Sequence, residues 1–251
     1  MLTAVPLFNA SCNECGLKKL CFPLGLDKAD VLRLDAIVKR KNPLHKGEAL
    51  FSTGQNFQSV YAVRAGGFKV STVNAAGEDQ ILGFYLPGDI LGADALSTGK
   101  HVSTALAFDT STVCEIPFHE LERLSLQLPS LNHQMLSMMS KELVDERMHA
   151  ELLARKSADE RIALFVLWLA RRQERRGFNG QEFRLGLLHR DVALYLGLTP
   201  ETVSRILARL SDEQVLTWRN KQVRIIDFKA LSTLAGEPEE DQSTHCRTQC
   251  A

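Results

Sequence analysis

Between His189 and Leu210 the chain spells two short helices joined by a tight turn, and no other stretch constrains the fold as strongly. The first helix runs through Val192, Ala193 and Leu196 and stops near Gly197, a residue suited to a helix end. Thr199 is placed to cap the second helix, and Pro200 fits its first turn, where a missing N–H costs nothing. In that second helix Val203, Ile206, Leu207 and Leu210 fall on one face. Glu201, Ser204, Arg205 and Arg209 fall outside it. A helix that reads DNA needs this division, because the apolar face anchors it while polar residues reach base edges in the major groove. Arginine pairs bidentately with guanine, a carboxylate accepts from cytosine, and a serine hydroxyl serves base or phosphate. A solvated helix-turn-helix with no DNA role has the same two faces, so the pattern alone leaves both readings open.

The flanking sequence places this pair of helices in a domain of its own. Ser157-Ala158-Asp159-Glu160 has the form of a capping box and starts a fresh helix, which puts a boundary near residue 156. The longest apolar run, residues 162–170 between Arg161 and Arg171, is far short of membrane length and reads as a core helix. Asn179-Gly180 between Phe178 and Phe183 suggests one hairpin turn, and Asn220-Lys221 between two β-type segments suggests another. The net charge of the 251 residues is zero, yet residues 156–235 hold 14 Lys/Arg against 9 Asp/Glu, a surplus of five. That surplus permits a nucleic-acid partner without requiring one. Beyond it, Glu237, Glu239, Glu240 and Asp241 read as a disordered acidic tail.

Upstream the texture changes. From about 43 to 120, short β-type segments are punctuated by glycine, as expected of an all-β barrel or roll. From about 119 to 155 the chain becomes helical. One line of residues there, Leu136, Met139, Leu143, Glu146, Ala150 and Leu153, steps alternately by three and four. Two parallel helices sharing a seam have this spacing, and so does one amphipathic helix packed on its own domain. Glu146 is the misfit on the line. His133 and His149 read as surface residues of the same region.

The first 26 residues are loop-like and carry Cys12-Asn13-Glu14-Cys15 and Cys21. No basic region followed by a long apolar stretch precedes them, so a cytoplasmic protein is expected, in which thiols stay reduced. Three thiolates in a short loop can wrap a metal centre. A cubane cluster takes four in the usual case, so Cys114, Cys246 or Cys250 must supply the last. Zinc closed by three cysteines and a histidine or fourth cysteine fits the local spacing equally well.

Thr199-Pro200-Glu201-Thr202-Val203-Ser204-Arg205 closely resembles the recognition helix of the Crp–Fnr superfamily, and Leu86-Pro87-Gly88-Asp89-Ile90-Leu91-Gly92 resembles its β-roll. The likeness covers nearly the whole chain. It implies an α+β protein: an N-terminal double-stranded β-helix (jelly-roll-like) sensor domain, a long dimerisation helix and a C-terminal winged helix-turn-helix. In these terms residues 1–26 are a cluster-binding segment and 27–120 the sensor roll. Residues 121–155 are the dimer helix, 156–230 the winged helix-turn-helix and 236–251 the tail. In the superfamily the residues matching Glu201, Ser204 and Arg205 read TTGA-type half-sites of inverted-repeat DNA. Cys12, Cys15, Cys21 and distant Cys114 match the Fnr branch, whose four such cysteines hold an oxygen-labile [4Fe–4S] cluster. That branch also places an acid where Glu146 stands, beside an aliphatic residue matching Leu143. A homodimer poised near balance is therefore expected. Contact with RNA polymerase through an exposed loop such as residues 76–80 follows from the family alone.

Cyclic nucleotide is not expected as the signal. The superfamily's binders resemble one another in a Gly-Glu pair followed some ten residues on by Arg-Ser. Here Gly92-Ala93-Asp94 lacks the glutamate, and residues 101–107 hold no arginine to neutralise a buried phosphate. Haem, zinc or a small effector are the alternative signals. A cysteine-based redox enzyme is the reading of another class, but no nucleotide-binding glycine fingerprint or catalytic triad context accompanies the cysteines. No membrane partner is expected.

Overall fold

The computed structural model describes residues 10–74, 77 and 79–237. They fall into two compact units, divided between Glu146 and Arg147. Cys246, Cys250, Ala76, Glu78 and most of the expected acidic tail lie outside the described residues. Of the residues assigned to that tail, Gly236 and Glu237 are described. Gly236 caps the last helix in a left-handed conformation, and Glu237 forms a two-bond ion pair with Arg171.

Among the described residues, the first helix of the first unit is α1 (Lys28–Ile37), capped by Asp27, whose carboxylate accepts the Asp30 N–H at 2.8 Å. Eight strands follow: β1 (Lys39–Arg40), β2 (Ala49–Phe51), β3 (Ser59–Ala65), β4 (Phe68–Val73), β5 (Asp79–Tyr85), β6 (Ile90–Leu91), β7 (Thr104–Ala107) and β8 (Thr112–Pro117). They make two four-stranded antiparallel sheets, in the orders β1-β8-β3-β6 and β2-β7-β4-β5. Neighbours distant in sequence pair with one another, as in a jelly-roll, so the expected roll is present.

Strand β3 explains the layering. Successive side chains point to opposite faces. Tyr61 and Val63 join Phe51, Phe68, Val70, Leu91 and Val113 in one core. Val60 and Ala62 join Ile116, Phe22, Leu34 and Leu131 in another. A strand buried on both sides reads as a continuous apolar run, which Val60-Tyr61-Ala62-Val63 is. The second core also takes Leu121 and Leu124 of α2 (Phe118–Ser125), and Leu131 of the long helix α3 (Pro129–Arg155).

In the second unit the Ser157–Glu160 capping box forms as expected: the Ser157 N–H donates to the Glu160 carboxylate at 2.8 Å, and the Glu160 N–H donates to Ser157 Oγ at 3.3 Å. It starts α4 (Ala158–Arg175), whose Ile162, Phe165, Val166, Leu167 and Leu169 are buried. Strands β9 (Glu182–Arg184), β10 (Leu216–Arg219) and β11 (Gln222–Ile225) form a sheet in the order β10-β11-β9, and α7 (Phe228–Ala235) packs on α4. The hairpin at Asn220-Lys221 is present, with φ of 50° and 67°, both in the left-handed region that a two-residue primed turn demands. The hairpin expected at Asn179-Gly180 is not. Residues before it belong to the end of α4, and β9 pairs with β11 instead. Asn179 turns the chain locally, its side chain accepting the Gln181 N–H at 2.8 Å.

Candidate functional site

Cys12, Cys15, Cys21 and Cys114 line one cavity of about 40 Å³, which gathers the three loop cysteines with the strand cysteine. A single water needs roughly 10–15 Å³ of such space, so the cavity is larger than a hydration site. All four are free thiols. Among the described residues, no three His, Cys, Asp or Glu side chains group closely enough to hold a single metal ion. The rest of the wall is largely apolar, from Leu17, Phe22, Leu34, Val38 and Ile116, with Lys18 and Arg64 as its charged members.

Strand parity explains Cys114. It sits two residues before Ile116 on β8, opposite Ala62 of β3, and so shares the face that packs against Phe22 and Leu34. The loop cysteines reach that face because their segment is a chain of tight turns, with Lys18 bonded to Cys15, Leu20 to Leu17 and Leu24 to Cys21. Three contacts tie it down. The Cys12 N–H donates to Asp35 of α1 at 2.9 Å, and Arg40 of β1 donates to the Ala10 carbonyl. Gln134 of α3 donates to the Cys21 carbonyl at 3.4 Å. Leu20 also covers Gly88, where φ of +98° and a 3.0 Å approach leave no room for a side chain. Asp35, Arg40 and Gln134 escaped the sequence reading, since no local pattern links them to cysteines many residues away.

Burial makes Cys12, Cys21 and Cys114 poor thiolates when alone. Burial pushes the Cys21 thiol up to about 12, and burial together with Asp35 lifts Cys12 well above its ordinary range. Cys114 is raised by burial too, although Arg64 and Arg40 pull the other way. Burial also pushes Asp35 up, but bonds from Cys12 and Arg40 outweigh it and hold the carboxyl below the usual range. A positive centre among the sulfurs would supply what Cys12, Cys21 and Cys114 lack, because metal coordination deprotonates a thiol outright. The donor set fits a thiolate-bound metal cofactor.

The roll's other candidate pocket segment is already engaged. The Asp94 carboxylate accepts from the Val102 N–H at 3.1 Å and the Ser103 hydroxyl at 2.8 Å, and it pairs with His101 Nδ1 at 3.0 Å. His101 is buried and stacked on Phe51. An internal carboxylate thus occupies the donors of the segment that lacks an arginine.

In the second unit α5 (His189–Leu196) ends on Gly197 at φ +62°, and Thr199 caps α6 (Pro200–Asp212) by accepting the Thr202 N–H at 3.2 Å. Val203, Ile206, Leu207 and Leu210 are buried. Glu201, Ser204, Arg205 and Arg209 are exposed. Glu201, Ser204 and Arg205 stand on the first two turns. Arg209, one turn further on, is in an ion pair with Asp159 of α4 and is the least free of the four to reach a base.

On α3, Leu136, Met139, Leu143, Glu146 and Ala150 are all exposed, and Leu153 is half-buried. Leu136 and Leu143 are 59% and 56% exposed, more than a helix packed through that line on its own domain would leave. The opposite stripe does the intramolecular packing. Leu131 and Gln134 are buried, and Glu142 accepts the Tyr85 hydroxyl. Burial raises Glu142, with Glu146 and Asp145 adding to the rise. In the second unit His149 is half-buried, not a surface residue. Its Nε2 lies 2.9 Å from the Tyr195 carbonyl. In the first unit the three-and-four spacing of Leu131, Gln134, Met138, Glu142 and Asp145 is the signal that marks the packed stripe.

Residues 160–234 match the Crp-like helix-turn-helix domain family, and residues 41–127 the cyclic nucleotide-binding domain family. The chain is 44% identical to the transcriptional activator protein Anr of Pseudomonas protegens, over 91% of this chain and 93% of that one. It is 43% identical to the fumarate and nitrate reduction regulatory protein of Escherichia coli, over 90% of each. The structure of FixK2 from Bradyrhizobium japonicum superposes with a TM-score of 0.71 at 28% identity, covering 82% of this chain and all of that one. With its roll, long helix and capped recognition helix, the chain belongs to the Fnr branch of the Crp–Fnr transcription regulators.

Proposed function

We propose that the protein is an oxygen-responsive transcription regulator whose Cys12, Cys15, Cys21 and Cys114 hold a [4Fe–4S] cluster. Its cluster-loaded homodimer binds TTGA-type inverted repeats and controls anaerobic gene expression. The observation that carries this reading is the convergence of all four cysteines on one largely apolar cavity. When bound, the cluster supplies a centre that oxygen attacks. Everything else is done by the chain. Apolar Phe22, Leu34 and Ile116 limit water around the sulfurs, and the Asp35–Arg40 pair holds the Cys12 backbone in place. Phe22 and Gln134 join the cysteine segment to the first turns of α3, so an ordered segment supports the helix that carries the seam. An exposed apolar line on that helix suits a second copy of the chain. The internal carboxylate of Asp94 supports a roll that works without cyclic nucleotide. Contact with RNA polymerase belongs to the same reading by family likeness.

Protein purified without oxygen should be brown and carry about four irons and four sulfides per chain. Colourless protein holding zinc, measured by metal analysis, would end the cluster reading.

Glu201, Ser204 and Arg205 read bases, and Arg209 holds the helix in place through Asp159. Arg205→Ala should weaken binding to a matched half-site by about 1–3 kcal/mol and relax the preference at one base pair. Titration against matched and single-substituted duplexes checks it. An equal loss on every sequence would mark Arg205 as a phosphate contact instead.

A further inference from the structure

We infer that His149 is a positioning residue for DNA recognition, pinning the last turns of α3 to the helix that precedes the recognition helix. This rests on the reading that α6 enters DNA as one of a pair.

A helix leaves its last carbonyls without intrahelical partners. In α5, Ala193 O is taken by the Gly197 and Leu198 N–H groups. Tyr195 O and Leu196 O are instead reached from outside the helix. His149 Nε2 lies 2.9 Å from Tyr195 O, and Arg161 Nη1 donates to Leu196 O at 2.9 Å. A carbonyl only accepts, so Nε2 carries the proton and donates. The same Arg161 donates to Leu153 O and Lys156 O, at the end of α3. The end of α5 is therefore capped from α3 by His149 and from the start of α4 by Arg161, at two adjacent carbonyls.

The imidazole does more than bond. It stacks on the Tyr195 ring, centroids 4.0 Å apart and planes within 3°. Tyr195 in turn contacts Phe165 of α4, which stacks with Trp218 of β10. A ring stack restrains rotation and a hydrogen bond restrains sliding, so together they fix how α5 lies on the end of α3. Helix α5 is followed by Gly197, Leu198 and Thr199 alone before α6 starts, which leaves the reading helix little independent freedom. Burial keeps the His149 pKa below its ordinary value, so the ring acts as a neutral donor near pH 7.

In an inverted repeat the distance between half-sites matches the distance between the two reading helices, and how sharply that spacing is selected depends on how rigidly each helix is held. Loosening the pin should therefore blur spacing discrimination as well as lower affinity. The test uses full-length, anaerobically prepared holoprotein with duplexes of matched spacing and of one base pair more or less. His149→Phe keeps a stacking ring but removes the donor. It should bind the matched site on the order of tenfold more weakly, and the ratio between matched and altered spacing should shrink. Iron content and dimer fraction should match wild type. His149→Gln returns an N–H donor and should recover most of the spacing ratio.

An unchanged spacing ratio in His149→Phe overturns the proposal, as does a loss that tracks dimer dissociation. Amide exchange gives a readout that needs no DNA. The α5 end around residues 193–198 should exchange faster in His149→Phe than in wild type, and equal rates would also overturn the pin. Failure of wild type to bind any inverted repeat would overturn the DNA reading instead, with the exchange result still deciding the contact.

Discussion

Cys114→Ala should yield a protein that folds, carries far less than four irons per chain when isolated without oxygen, and binds inverted-repeat DNA at least a hundredfold more weakly. The reason lies in where the four sulfurs are mounted. Cys12, Cys15 and Cys21 belong to a run of tight turns held by a few hydrogen bonds, whereas Cys114 sits mid-strand between β1 and β3. Removing it leaves three thiolates on the more pliable wall and none on the rigid one. The roll itself should survive, because the change removes one half-buried sulfur from a face still packed by Ile116, Ala62 and Phe22. The DNA penalty follows from valence. A chain that no longer pairs engages one half-site at a time, and losing a second tethered contact typically costs 10²–10⁴ in apparent affinity. Iron and sulfide analysis beside a gel-shift titration measures both effects. A Cys114→Ala protein that keeps four irons would remove Cys114 from the ligand set.

Much of this was legible from residue order, for physical reasons that differ by element. The recognition helix could be placed because its signals are local: Gly197 stops one helix, Thr199 and Pro200 start the next, and four apolar residues mark the buried face. The capping box at Ser157 was local in the same way. Asn179-Gly180 looked equally local but misled. An Asn-Gly pair shows that the chain turns, not what it turns between, and here a helix end precedes it. The union of Cys114 with the loop cysteines is a tertiary fact. Strand parity put Cys114 on the same face as Ile116, but only the pairing of β8 with β3 and the packing of Phe22 turned that face toward the loop. Arg209 shows another limit. Exposure on the correct helix face was predictable, whereas its engagement by Asp159, fifty residues earlier, was not. His149 reads as a surface residue because histidine on a polar helix is usually solvated. Its hydrogen-bond partner is a backbone carbonyl, which leaves no trace in side-chain patterns, and its stacking partner Tyr195 lies 46 residues away.

Glu146→Ala should dimerise in air and bind DNA there, uncoupling both from the cluster. On the proposed seam, two copies of Glu146 approach each other among Leu136, Met139, Leu143 and Ala150. At about 6 Å and an effective dielectric of about 20, two carboxylates repel by about 3 kcal/mol. Removing that repulsion amounts to roughly a hundredfold in the dimer dissociation constant. A competing effect must be separated from it. Glu146 is also one helical turn from Glu142, which Tyr85 and burial hold in the stripe facing the roll. Relieving that like-charge pair gains a few tenths of a kcal/mol. It does so in monomer and dimer alike, so it cannot shift the association. Glu146→Gln keeps the side-chain volume and removes only the charge. If repulsion governs, it should follow Glu146→Ala. If volume on the seam governs, it should follow wild type. Sedimentation of all three proteins, with and without oxygen, decides between them. A Glu146→Ala chain that stays monomeric in air would move the switch away from this residue, to the joint where Gln134 and Phe22 meet the cysteine segment.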